Sequence, residues 1–217
     1  MSLSNSLRVI RTFHETIILG EIMTALPHLK EKERFTYTDY LTWSDDERWE
    51  LIDGVAYCMS PAPGVRHQEL SGELFRQLAN YLKGKICKPF SAPFDIRLSE
   101  RPGLTDEKIE TVVQPDIVVV CDRSKLDDKG CKGAPDLVIE ILSPSTGGKD
   151  LTVKYDLYER HGVKEYWIIH PAERTLLVYK LCETGKYGVA DRYAGDDKVP
   201  VPLLGELVID LSDVFAD

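Results

Sequence analysis

The sequence predicts a mixed α+β (α/β) domain in which a mixed β-sheet is flanked by helices, and three observations predict it. Strand-like apolar runs outnumber helix-like periodic stretches. The helices interrupt the strands rather than alternating strictly with them. One run, Leu137–Leu142 within "APDLVIEILSPST", is apolar enough to lie in a sheet covered on both faces, yet it carries an acid, Glu140. At 217 residues the chain can bury a sizeable core, and the simplest division is an N-terminal extension over residues 1–30 and one domain over residues 31–217.

The elements follow in order. Thr36 or Thr38 caps a short helix running through Leu41, and Ser44 with Glu47 fits a capping box for a further turn. In "WELIDGVAYCMS" two apolar arms flank Asp53-Gly54, so a hairpin is expected over roughly Trp49 to Ser60. Between Val65 and Leu82 the residues Leu70, Leu74, Phe75, Leu78, Tyr81 and Leu82 recur at helical spacing, and Gly84 ends the pattern. "PFSAPFDIRLS" and "VVQPDIVVVC" read as strands separated by the acidic loop "ERPGLTDEKIE", and a polar loop from Asp122 to Gly133 leads into the Glu140 strand. After turn chemistry at Ser143 to Gly148, a second helix is expected from about Lys149 to His161, closed by Gly162. "KEYWIIHPAERTLLVYKL" then gives two strands joined at Pro171-Ala172-Glu173, and short strands with a terminal turn complete the chain.

Composition narrows the function classes. A formal charge of −9 argues against a general nucleic-acid-coating protein, although a local basic patch or a metal ion can still recruit a phosphodiester. No run approaches the roughly 18 apolar residues that a transmembrane helix needs, so no membrane partner is expected. The five cysteines are scattered without zinc-site spacing, which predicts reduced thiols in a cytoplasmic protein. Acids and a His interrupt the apolar part of the N-terminal segment, which makes it a poor signal peptide. "SPSTGGKD" lacks the spacing of a phosphate-cradling loop, and Trp43, Trp49 and Trp167 read as packing residues rather than a base-stacking platform.

The chemistry centres on two carboxylates. A carboxylate inside a buried strand is costly unless it is paired or coordinated. Asp116 follows Pro115 at the start of "DIVVV", and if that strand neighbours the Glu140 strand the two acids converge. Brought together they repel each other, unless a divalent cation binds both. Hard cations such as Mg²⁺ take oxygen ligands and keep several waters, and the backbone carbonyl of Ile141 completes such a set. On the following helix Leu151, Lys154, Tyr155 and Tyr158 share one face, so Lys154 belongs to the apolar stripe and can aim its ammonium at the acids.

The residues and order of this constellation resemble the PD-(D/E)XK nuclease superfamily, and the chain looks like its Uma2 branch (DUF820) of restriction-endonuclease-like proteins. The resemblance covers about Phe35 to Leu181 and rests on "WELIDGVAYCMSPAP", His67 opening the first long helix, "VVQPDIVVV", "DLVIEILSPST" and "KYDLYERHGVKEYWIIHP". It implies a restriction-endonuclease-like mixed sheet, with Asp116 and Glu140 as metal ligands for Mg²⁺ or Mn²⁺. Where the superfamily pattern places its lysine, two residues after the second acid, this chain has Leu142; the branch moves that lysine to the next helix, where Lys154 fits. Glu50 resembles an additional acid near the metal, and His67 matches the branch's histidine. "MTALPHLKEKERFTYTDYL" looks like the usual opening of such proteins, which makes Met23 a second candidate start beside Met1. The implied activity is metal-dependent hydrolysis of phosphodiester bonds by an endonuclease acting on DNA, with a homodimer suited to cutting both strands.

Bland readings stand beside these. Asp116 and Glu140 can be structural acids at strand ends, Lys154 can extend its ammonium to water, and Glu50 can pair with Arg48 or lie on a solvated hairpin face. His67 can be satisfied by a backbone carbonyl, and His161 and His170 suit ordinary turn roles. Two other functions compete with the nuclease. One is a non-catalytic binding or assembly module that retains the fold; the other is a small-molecule hydrolase using the carboxylates as general acid and base without metal.

Overall fold

The computed structural model describes residues 10–11, 34–43, 47–59, 62–101, 103–143 and 148–216. The expected capping box at Ser44, the loop Pro144 to Gly147 and the candidate start Met23 lie outside these residues. The chain folds as two compact units, Met1–Pro61 with Arg97–Val113, and Ala62–Ile96 with Gln114–Asp217. Among the described residues no helix is long and apolar enough to cross a membrane.

In the first unit a short helix, α1 (Tyr37–Tyr40), starts at Thr36, whose backbone N–H donates to the Asp39 carboxylate at 2.7 Å. The hairpin expected around Asp53-Gly54 forms from β1 (Trp49–Ile52) and β2 (Val55–Cys58), with Trp49 opposite Cys58. Asp53 (φ 50°) and Gly54 (φ 75°) both adopt left-handed backbone, which suits Asp-Gly and matches the twist of the two arms. The strand Thr111–Val113 joins the hairpin with Val112 opposite Leu51. Phe35, Tyr37, Trp43, Trp49, Leu51, Ala56, Ile109 and Val112 form the core of this unit. Trp43 meets Phe35 and Trp49 edge-on, at 5.4 and 5.8 Å between ring centroids, so both tryptophans are packing residues.

The second unit is built on a six-stranded sheet. Its strands are β3 (Lys88–Ser91), β4 (Ile117–Val120), β5 (Leu137–Ile141), β6 (Glu165–His170), β7 (Thr175–Lys180) and β8 (Asp191–Ala194), and they lie in the order β8-β7-β6-β5-β4-β3. The pair β5–β6 is parallel and the other pairs are antiparallel. A parallel pair needs a long connection, and α3 (Gly148–His161) lies within it. The other long helix, α2 (Val65–Leu82), buries Leu70, Leu74, Leu78 and Leu82 in a cluster with Ile117, Val119, Leu137, Ile139, Ile141, Trp167 and Ile169. Side chains alternate along a strand, so Val118, Val138, Glu140, Tyr166 and Ile168 take the opposite face of the sheet.

Several segments differ from their sequence expectation. "VVQPDIVVVC" is two strands, Thr111–Val113 and β4, in different compact units. Pro115 has no N–H for a ladder and marks the break. "PFSAPFDIRLS" likewise divides, into β3 and Ile96–Leu98, around Pro93. The polar loop Asp122 to Gly133 contains a tight turn at Arg123–Lys125 and a small hairpin, Leu126–Asp127 with Gly130–Lys132. The expectation of five reduced thiols is also corrected. Extending the Lys88↔Val120 pairing by one residue sets Cys87 opposite Cys121, and the two form a disulfide, leaving Cys58, Cys131 and Cys182 as free thiols. Spacing along the chain gives no sign of this pair, because strand register alone brings its members together.

Candidate functional site

The β4–β5 register assembles the carboxylates. Leu137 lies opposite Val119, Val138 opposite Val118 and Ile139 opposite Ile117, so the next step along the pair sets Asp116 opposite Glu140. Asp116 ends its ladder at both edges: its carbonyl accepts from the Ala92 N–H at 3.0 Å, and its Oδ2 accepts from the Ile141 N–H at 2.8 Å. The side chain thus replaces a backbone partner at the strand end and is held there. Glu140 is the single half-buried position of β5, whose other four residues are buried.

The helix α3 supplies the counter-charge. Lys154 Nζ donates to Glu140 Oε1 at 2.9 Å, and the Tyr158 hydroxyl donates to the same oxygen at 2.8 Å. Lysine and tyrosine four residues apart stand on one helix face, which explains why both reach one carboxylate. The side chains of Lys154 and Glu140 are 14% and 12% exposed, so the pair is largely shielded from water and the bland reading of a lysine extended into solvent does not hold. Tyr158 belongs by spacing to the apolar stripe of this helix. Its ring does pack in the interior, but its hydroxyl is an additional member of the site. The only sequence signal for it was a polar tip placed one turn after Lys154.

From the other long helix, His67 places Nε2 3.3 Å from Asp116 Oδ2. Burial of this ring disfavours the charged form, but hydrogen bonding to Asp116, the Asp116 charge, the Ile141 backbone and the Glu140 charge outweigh it, and the pKa is raised. Helix α2 thereby ties its first turn to the acid on β4. The hydroxyl of Tyr166, on β6, is buried and finds no hydrogen-bond partner among the described residues; burial first, then the Glu140 charge, push its pKa well above the usual tyrosine value.

The second unit therefore brings together Asp116, Glu140, Lys154 and His67. Glu50 belongs to the first unit, on β1 opposite Tyr57, and is 2% exposed, which overturns the solvated hairpin face as its setting. His161 keeps an ordinary helix-end role, with Nδ1 2.8 Å from the Leu157 carbonyl. Among the described residues no three or more His, Cys, Asp and Glu side chains gather into a metal-holding group. The carboxylates of Asp116 and Glu140 offer hard oxygen donors, with the His67 imidazole beside Asp116. The oxygens fit a hard divalent cation that retains several of its waters.

The mixed sheet with its parallel central pair and few flanking helices matches the restriction-endonuclease-like fold that the resemblance implied. The chain matches the Uma2 family, described as "Putative restriction endonuclease", over residues 37–212, and it belongs to that family. It is 25% identical over 170 residues to the uncharacterized protein slr1290 of Synechocystis sp., an alignment covering 77% of this chain and 84% of the relative. Its fold resembles the crystal structure of a "putative nuclease belonging to DUF820" from Anabaena variabilis ATCC 29413, with a TM-score of 0.66 and 24% identity, covering 84% of this chain and 98% of the other.

Proposed function

We propose that the protein is a metal-dependent endonuclease that hydrolyses phosphodiester bonds in DNA, with Asp116, Glu140 and the Ile141 carbonyl as ligands for Mg²⁺ or Mn²⁺ and Lys154 as the catalytic cation. The observation that carries the reading is the placement of Asp116 opposite Glu140 in strand register, with the Lys154 ammonium 2.9 Å from the Glu140 carboxylate. Two like charges and one cation in a shielded setting are costly to maintain without a task, and perturbed charge clusters gather at functional sites.

When bound, the cation supplies charge for the phosphate oxygens and lowers the pKa of coordinated water. The protein's own contributions are positional. Asp116 is immobilised by the Ile141 N–H, and Glu140 is immobilised by Lys154 and Tyr158. Lys154 brings a three-donor ammonium to the Glu140 carboxylate, and an ammonium so placed can orient a water or a phosphate oxygen. His67 keeps Asp116 turned toward the site. A symmetric dimer would present two such sites to one duplex.

The test is cleavage of mixed single- and double-stranded DNA in Mg²⁺ or Mn²⁺ by the intact protein, Glu140→Ala and Lys154→Ala. Metal-dependent cutting lost in both variants supports the reading, and equal cutting by all three proteins refutes it. The competing reading, a binding or assembly module on the same fold, draws on the formal charge of −9, which disfavours a polyanionic substrate. Mn²⁺ binding with no cleavage of any nucleic acid would favour that module.

A further inference from the structure

We propose that Tyr158 is a positioning residue of this site: its hydroxyl holds Glu140 in its ligating orientation whether or not Lys154 donates to the same oxygen. The proposal rests on the metal-site reading above and assigns separate tasks to the two donors on one oxygen.

Lys154 Nζ and the Tyr158 hydroxyl converge on Glu140 Oε1 at 2.9 and 2.8 Å. One carboxylate oxygen accommodates about two donors, so these two bonds restrain rotation of the carboxylate about its last bond. The donors differ in how firmly they are themselves held. Tyr158 is fully buried, and its ring meets the Tyr166 ring edge-on at 5.0 Å between centroids. Tyr166 is itself fully buried and lies 6.2 Å from Tyr179, which Tyr155 meets edge-on at 5.0 Å. The Tyr158 hydroxyl is thus the tip of a rigid side chain with two torsions, set in a block of rings contributed by α3, β6 and β7.

Lys154 has the opposite character. Its ammonium ends a flexible four-carbon stem with more torsions than the tyrosine has. A lysine that donates to Glu140 and also serves a phosphodiester shifts between the two tasks as its donors are shared out. If Lys154 were the sole anchor, each such movement would release the ligand it had been holding. A second, immobile donor on the same oxygen removes the conflict.

Mn²⁺ binding by the intact protein, read by calorimetry and by the electron paramagnetic resonance of free Mn²⁺, tests this without reliance on turnover. Tyr158→Phe keeps the ring and removes the hydroxyl, and it is expected to weaken Mn²⁺ binding about tenfold or more, in the range seen when partners of metal ligands are removed. Tyr155→Phe is the control, since it removes a hydroxyl from the same helix and the same block of rings, and it should bind Mn²⁺ as the unaltered protein does. Lys154→Met should retain Mn²⁺ affinity within about threefold while losing cleavage, because Tyr158 still holds the acid. Wild-type affinity in Tyr158→Phe overturns the proposal, as does an equal loss in Tyr155→Phe, which would assign the effect to ring packing. These outcomes leave the metal site intact provided Glu140→Ala abolishes binding. A folded unaltered protein that binds no Mn²⁺ overturns both the metal-site reading and the role of Tyr158.

Discussion

The ion pair between Lys154 and Glu140 should be worth several times a surface salt bridge, and a double-mutant cycle of Lys154→Met and Glu140→Gln measures it. At 2.9 Å, and with an effective dielectric near 20, the attraction between unit charges is about 5–6 kcal/mol. Desolvation of both groups offsets part of this. With side chains only 14% and 12% exposed, removing one partner strands the other charge and is expected to cost about 3 kcal/mol, at the low end for a buried pair. The low end applies because Tyr158 continues to donate to Glu140 after Lys154 is gone. The coupling energy, the part of the two single losses not repeated in the double variant, should then be about 2–3 kcal/mol. For a chain of this size each single variant should melt about 6–12 °C lower. Urea unfolding of the four proteins, followed by tryptophan fluorescence, gives the cycle directly. A coupling below about 1 kcal/mol, the value typical of exposed pairs, would refute the claim that this pair is shielded and mutually dependent.

Other consequences follow from single positions. Glu165 is buried beside Trp167 Nε1, which donates to it at 3.0 Å, and burial raises its pKa above 4.5. The folded state therefore holds this proton longer than the unfolded state, so wild-type stability falls as pH rises from about 4.5 through the folded pKa. Glu165→Gln lacks that titration, and its advantage should grow as pH rises from about 4.5 through the folded pKa; parallel stability curves would contradict this. Thiol titration of the denatured, unreduced protein should find the thiols of Cys58, Cys131 and Cys182 alone. Closing a separation of 34 residues, the Cys87–Cys121 bond should contribute up to about 4 kcal/mol that Cys121→Ser removes. Gly130 (φ 119°) has no room for a Cβ, which would collide with the Asp95 carbonyl oxygen, so Gly130→Ala should cost about 1–3 kcal/mol. Gly72→Ala, inside α2 with nothing near the added carbon, should instead stabilise by about 0.5–1 kcal/mol in the same unfolding assay.

What the sequence by itself determined was local. Asp53-Gly54 specified the hairpin turn, because few dipeptides tolerate two left-handed residues. The leucine spacing from Leu70 to Leu82 specified α2 and its buried face, and Gly162 specified the end of α3, because helical periodicity and terminal backbone conformation are properties of a single segment. Glu140 was conspicuous for the same reason: an acid in a doubly covered strand is costly wherever that strand lies. Lys154 stood out as a cation on an apolar stripe.

The tertiary structure decided everything that required two distant segments to meet. No local signal distinguishes a register with Asp116 opposite Glu140 from one slipped by a residue, yet the slip would send the two acids to opposite faces of the sheet. Pro115 was visible as a residue suited to a strand's start, but not that the chain would divide there and assign Thr111–Val113 and β4 to different compact units. The Tyr158 hydroxyl, the approach of His67 to Asp116 and the Cys87–Cys121 bond were equally hidden, since each depends on the geometry with which a helix or strand docks. Backbone sterics and side-chain period act within a few residues, whereas the orientation of one polar group toward another is set by the packing of the whole sheet and its helices.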